Sequence, residues 1–346
     1  MSRVADFRSD TVTSPTARMY EAMLRAQVGD DAHGDDATVM ELEERFAKLF
    51  NKESALFFPT GTMANQAAVA SHTLPGDEIL IDEYAHIFMY EGGALSRIAN
   101  VQSRTLSTNQ GKYSFGSLAH AVRGSSVHMP RTSLICAEQS HMFSGGSILP
   151  IEYLKELHAF ALSRCIPVHL DGARIFNVLA ETGLEPAVYG ETCDSLMISL
   201  TKGLSCPVGA VLVGDGGFVE RARRIRKWMG GGLHQAGVIA ACGLVALDEL
   251  PERLAVDNAL CRHLGGFVLG LNGARMAQEN IDTNVLFLEV THPSLDAPMV
   301  EAALSDRGVR ALALGDRLLR FVTHRHLTES DVNNAGEALH QILKNK

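Results

Sequence analysis

Asp171 closes the apolar run at residues 166–171 (IPVHLD), and Lys202 follows the next run, residues 195–200 (SLMISL). A lysine amine condenses with an aldehyde, and a carboxylate holds a ring nitrogen protonated. Those are the two protein groups that pyridoxal phosphate (PLP) chemistry requires, because a Schiff base anchors the cofactor and the protonated pyridine takes up electrons leaving Cα. Taken alone, Lys202 reads as a surface lysine. Beside Asp171, at the strand ends where open α/β sheets build their sites, it reads as a cofactor anchor. The phosphate needs a cradle of its own. Residues 57–69 (FFPTGTMANQAAV) run from a strand through a Gly-containing turn into a helix, so the N–H groups of Gly61 and Thr62 would face an anion along the helix dipole. The same turn also reads as a plain N-cap by Thr60 or Thr62. Thr201, next to the lysine, is a second phosphate donor.

Positioning these groups is the work of a layered fold. Short β-rich runs at 54–59, 77–82, 133–138, 166–171, 195–200 and 209–214 alternate with helix-length segments. Several are almost wholly apolar, as strands covered on both faces must be, which predicts an α/β domain with a mostly parallel sheet. The runs at 195–200 and 209–214 stand too close for a helical crossover, so they are expected to pair antiparallel. After Pro251 the texture changes: short strands at 284–290, 309–314 and 318–324 beside two helices predict a small α+β domain. The expected division is residues 1–250, an N-terminal arm with the large PLP-binding domain, and residues 251–346.

The 346-residue chain carries a net charge of −9. An acidic protein is a poor nucleic-acid binder, since that affinity comes mainly from Lys and Arg neutralising phosphates. The one basic cluster, Arg221, Arg223, Arg224, Arg226 and Lys227, reads as a solvated helix face or a local anion site. No apolar run reaches the ~18 residues of a membrane span. The six cysteines show no CxxC pair and read as reduced core thiols, so no metal site is expected and the cytoplasm is the expected location.

Nine segments in order carry a family resemblance: FRSDTVTSPT (7–16), VGDDAHGDD (28–36), PTGTMANQ (59–66), AHIFMYEGG (85–93), HMPRTSL (128–134), HLDGARIFN (169–177), TKGLSCPVG (201–209), RKWMGGGLHQAG (226–237) and LLRFVTH (318–324). The chain resembles the low-specificity L-threonine aldolases of the β-eliminating lyase family, over almost its whole length. That resemblance implies the PLP-dependent transferase fold of the aspartate-aminotransferase type (fold type I). It also implies cleavage of an L-β-hydroxy-α-amino acid such as threonine, allo-threonine or phenylserine to glycine and an aldehyde, with racemisation or β-elimination as the alternative on the same scaffold. By resemblance, Lys202 forms the Schiff base, Asp171 partners the pyridine nitrogen, and His86 stacks on the cofactor. Ser9, Arg174 and Arg320 hold the substrate carboxylate, a task suited to the arginine fork. His86 and His128 are the candidate bases for the β-hydroxyl, while His141 and His169 are expected to be structural or supporting. Lys227 is expected to assist the phosphate, as is His234, which stands where the family usually has Arg. His33, near the substrate, replaces a usual Tyr, and Met142 a usual Asn. A homodimer or homotetramer with shared active sites is implied as well.

Overall fold

The computed structural model describes residues 4–249 and 251–344. Seven strands form the central sheet: β1 (Ser54–Phe58), β2 (Glu78–Asp82), β3 (Gln102–Leu106), β4 (Thr132–Glu138), β5 (Val168–Gly172), β6 (Ser195–Ser199) and β7 (Ala210–Gly214). Their spatial order is β1-β7-β6-β5-β4-β2-β3. All neighbours run parallel except β7, which is antiparallel to both β1 and β6. The β6–β7 pairing is the antiparallel one that the short connection demands, with Leu196 opposite Val213. Strands β2, β4, β5, β6 and β7 are buried along their entire length, matching their apolar sequences. Strand β3 (QSRTL) has no such signature, because it lies at the sheet edge and is half exposed. The sequence pattern therefore misses it.

Because β1, β2, β4, β5 and β6 point the same way, their last residues share one edge of the sheet. Helix α1 (Gly61–His72) starts there directly after β1. Its alanines 64, 67 and 68 are small enough to let it settle against Phe218, Ala222 and Ile225 of α3 (Gly216–Trp228), while the one-turn α2 (His86–Met89) begins at the same edge after β2.

A second, antiparallel sheet follows α4 (Gly237–Glu249) and α5 (Pro251–Val268). Its strands are β8 (Ala274–Met276), β9 (Val285–Val290), β10 (Leu312–Ala313) and β11 (Leu318–Val322), in the order β10-β11-β9-β8. Helices α6 (Ala297–Ser305) and α7 (Glu329–Lys344) pack on it. The single strand expected at 309–314 is two: Val309–Arg310 pairs in parallel with Ala5–Asp6, and β10 pairs with β11. Residues 5–7 thus sit in the C-terminal core, where Ala5 and Phe7 pack with Leu319 and Phe321. The expected boundary falls at Leu250, outside the described residues. Beyond it α5 serves both cores, through Leu254 in the large one and Leu260, Leu264 and Val268 in the small one.

Candidate active site

At the shared strand edge lies a cavity of about 170 Å3, lined by Thr60, Gly61, Thr62 and Asn65 of the α1 entry, His86, Glu91, Asp171, Ala173, Met197, and Ser199, Thr201 and Lys202 at and beyond the end of β6. Four larger clefts, of about 390 to 570 Å3, are lined by neither Lys202 nor Asp171. Chemistry, not size, selects the site. Asp171 is 1% exposed. Its Oδ2 accepts from Asn65 Nδ2 at 2.9 Å and its Oδ1 from the Ala173 N–H at 3.0 Å. Burial, with Arg174 nearby, lowers the Lys202 pKa against the opposing pull of Asp171, Asp10 and Glu138. A lowered lysine pKa enlarges the share of neutral, nucleophilic amine.

His86 opens α2, its N–H donating to Glu138 Oε2 at 2.8 Å and its Nδ1 lying 3.2 Å from Glu91 Oε1. Burial pulls its pKa down, but the Glu91 hydrogen bond and the Asp171 and Glu138 charges outweigh it, so the net shift is upward. His86, Glu91 and Asp171 cluster closely enough to suggest a cation site. Asn65 Nδ2 already bridges the two carboxylates, 3.0 Å from Glu91 Oε1 and 2.9 Å from Asp171. At the phosphate end, Thr60 Oγ1 caps the Met63 N–H at 3.1 Å. That leaves the Gly61 and Thr62 N–H groups without partners inside the helix, so the turn is both an N-cap and an anion cradle. The Ser199 and Thr201 hydroxyls stand 3.2 Å apart beside it. Among the described residues lining this cavity, Lys202 is the sole lysine or arginine.

The arginines behave differently from each other. Arg174 is buried and already holds a carboxylate, with Nε 2.8 Å and Nη2 2.9 Å from the two oxygens of Asp10. Burial would raise the Asp10 pKa, but Arg174, Lys202 and the Asn284 amide bring it to about 2. Asp10 thus engages the Nε–Nη2 edge of Arg174, the residue expected to hold the substrate carboxylate. Arg320, on β11, donates from Nη2 to the Arg8 carbonyl at 2.9 Å and from Nη1 to Met142 Sδ at 3.8 Å. Its Nε is buried with no partner. Ser9 caps a short turn by accepting the Thr11 N–H at 3.2 Å.

Ser9, Arg174 and Arg320 are not among the residues lining this cavity, and four further expected residues stand on exposed parts of the chain. His128 lies in the exposed loop before β4. The strand's seven residues, at ~3.3 Å each, carry the chain roughly 20 Å to the active edge. His128 is thus not a base beside His86 within one chain. His234, with its side chain 67% exposed, pairs with Asp30 at 2.8 Å. Lys227, near the end of α3, and His33 are exposed. The inward basic residue of that helix is Arg226, which reaches Asp31 at 2.7 Å and the Phe57 carbonyl at 2.6 Å. Arg221 donates to the Ser71 carbonyl, Arg223 pairs with Glu43 and Arg224 with Glu220. The basic cluster is largely consumed by its own fold.

Asn65, Glu91, Glu138 and Asp10 were not singled out by sequence reasoning. A signal existed for two of them: Asn65 interrupts an Ala-rich helix, and Glu138 ends an otherwise apolar central strand. A model of the beta-eliminating lyases matches residues 6–291. The chain belongs to the beta-eliminating lyase family. Within this family it is 37% identical over 346 residues to low-specificity L-threonine aldolase 1 of Arabidopsis thaliana, covering 99% of this chain and 97% of that one. It is 38% identical over 322 residues to the low specificity L-threonine aldolase of Escherichia coli K12, covering 92% and 93%. In fold it is similar to a threonine aldolase of Leishmania major, with a TM-score of 0.84 at 20% identity over 98% and 99% of the two chains. A Sphingomonas wittichii serine palmitoyltransferase gives a TM-score of 0.78 at 17% identity over 98% and 86%. This beta-eliminating lyase thus has the fold type I architecture that its motifs imply.

Proposed function

We propose that this lyase cleaves an L-β-hydroxy-α-amino acid of the threonine, allo-threonine or phenylserine type to glycine and an aldehyde, with PLP as cofactor. The observation that carries the proposal is the convergence of Lys202, Asp171 and His86 on one cavity whose far end offers the N–H and hydroxyl groups a phosphate needs. Bound PLP supplies a sink for the electron pair released when a bond to Cα breaks. The Lys202 amine would hold its aldehyde carbon, and Asp171, fixed by Asn65, would hold its ring nitrogen. The partnerless Nε of Arg320 is the donor awaiting the substrate carboxylate, with Arg174 locked beside it by Asp10. When neutral His86 donates Nδ1–H to Glu91, its lone pair is on Nε2, which takes the β-hydroxyl proton as the Cα–Cβ bond breaks.

Among the described residues, the lining of one chain holds no lysine or arginine for the phosphate besides Lys202. We therefore assign Lys227, His234, His33 and His128, all exposed on loops or helix ends, to the cavity of a second copy in a homodimer or homotetramer. The free state of all six cysteines supports a reducing, cytoplasmic location. Among the described residues no helix is long and apolar enough to cross a membrane. The test incubates PLP-loaded protein with threonine, allo-threonine, phenylserine, serine and both alanines. Glycine and aldehyde in equal amounts are expected. Ammonia from serine, or inversion of alanine without glycine, would instead make elimination or racemisation the main reaction.

A further inference from the structure

A buried line of hydrogen bonds leads from Asp171 to the other edge of the sheet. Asn65 Nδ2 gives one hydrogen to Asp171 Oδ2 and one to Glu91 Oε1. Both partners are carboxylates, so the amide has one orientation and Oδ1 points away from them. Oδ1 lies 3.1 Å from His169 Nε2, which must carry a hydrogen. On the other side of the ring, His169 Nδ1 is 2.9 Å from Ser195 Oγ, which is 2.8 Å from His72 Nε2. A neutral His169 has its lone pair on Nδ1, so Ser195 donates to it and accepts from His72 Nε2–H. Asn65, His169 and Ser195 are at most 1% exposed, and His72 stacks on Phe218 with ring centroids 4.5 Å apart.

We propose that Asn65, His169, Ser195 and His72 are positioning residues for the cofactor, forming a neutral chain whose every donor points toward Asp171 and so holds that carboxylate in one rotamer. The proposal rests on the PLP reading above. Aligned N–H and O–H dipoles strengthen one another along the chain and end on the buried carboxylate, fixing its orientation without placing another charge in the site. The two histidines must be neutral for this, and their surroundings keep them so. Burial brings the His169 pKa to about 4 against the pull of Asp171. Burial and His169 bring that of His72 to about 3, with Arg221 acting in the same direction and Asp194 and Asp215 opposing.

Nitrogen-15 NMR of the unloaded protein, with the two rings assigned by His169→Gln and His72→Gln, reads the chain directly. Both rings are expected as neutral Nε2–H tautomers from pH 6 to 8; a Nδ1–H or charged His169 would overturn the proposal. The second arm measures PLP affinity and the pH response of the visible absorption band. His169→Leu should weaken PLP binding about tenfold and shift the band's titration, and His169→Gln, whose amide can still donate to Asn65, should recover most of it. A purely packing role predicts a lower melting temperature of the unloaded protein with PLP affinity and band titration unchanged, which would also sink the idea. Should His169→Leu fail to fold, Ser195→Ala replaces it, with a smaller loss of affinity expected and no loss counting against the chain. Absence of a visible band in loaded wild type would defeat the PLP reading itself, and the tautomer result stands apart from it.

Discussion

The floor of the cavity and its rim are built in different ways. Lys202, Asp171 and His86 lie at or just beyond the ends of strands β6, β5 and β2, so forming one sheet is enough to assemble them. His128, His33, Lys227 and His234 lie on surface loops or a helix end. None of the four lines the cavity, and His234 is occupied by Asp30. A sheet edge brings distant residues together inside one chain, whereas basic side chains on loops reach a site only if another surface is laid against them.

Removing the floor should give the largest effects. Lys202→Ala should abolish the visible band of the PLP-loaded protein and lower activity by at least about a thousandfold. Borohydride trapping should label Lys202, and recovery of the label on Lys227 would break the distinction between floor and rim. Arg320→Ala should leave the band intact but weaken substrate capture on the order of a hundred- to a thousandfold, the cost of a buried carboxylate without its partner. The same variant losing PLP and keeping normal substrate affinity would remove Arg320 from that role.

The rim predicts complementation. Lys202→Ala and Lys227→Ala, unfolded together and refolded as mixed oligomers, should regain activity at about a quarter of the sites, since a hybrid pair keeps one intact cavity. Recovery no greater than the sum of the separate variants would return Lys227 to its own chain or to the solvent.

A smaller effect comes from behind the floor, where Asp257 faces Arg253 at 2.7 Å, with Asp10 and Arg325 also acting on it. Burial raises its pKa to about 7, against the pull of Arg253. A raised carboxyl pKa means that the folded state holds the proton more tightly. This contribution to stability is complete below the unfolded value near 3.8 and is lost as pH rises toward 7. Asp257→Asn should flatten that part of the profile, by an amount on the order of a few kcal/mol. Melting temperatures from pH 4 to 8 test this, and an unchanged slope counts against it. The smallest change is expected at Met142, whose sulfur is a weak acceptor for Arg320 Nη1. Met142→Asn should alter KM for the amino acid by less than about tenfold and leave PLP affinity unchanged. A change in PLP affinity would place this residue elsewhere in the site.

The sequence disclosed what periodicity and residue chemistry encode. The buried strands read as apolar runs, and the cofactor pair followed from a lysine and a carboxylate at consecutive strand ends. Edge strand β3 was missed because an edge needs no apolar pattern. The pairing of Arg174 with Asp10 joins residues 164 positions apart, which spacing alone does not reveal. Nor could it show that Arg226, of five clustered basic residues, turns inward to Asp31. The histidine at 169 looked merely supporting. Its part in orienting Asp171 depends on the two carboxylates that fix Asn65, and only the folded arrangement places all of these together.

The parallel pairing of Ala5–Asp6 with Val309–Arg310 has a consequence for how the protein is made. On the ribosome, residues 5–7 emerge about three hundred residues before the strand that receives them, a wait of roughly 15 to 60 s at ordinary elongation rates. Throughout that interval the large sheet can close while Phe7 remains in water, and the Arg8 carbonyl that later orients Arg320 is free to wander. The substrate end of the site is therefore completed only after the C-terminal strands are translated, when an early-made segment docks onto one made some three hundred residues later.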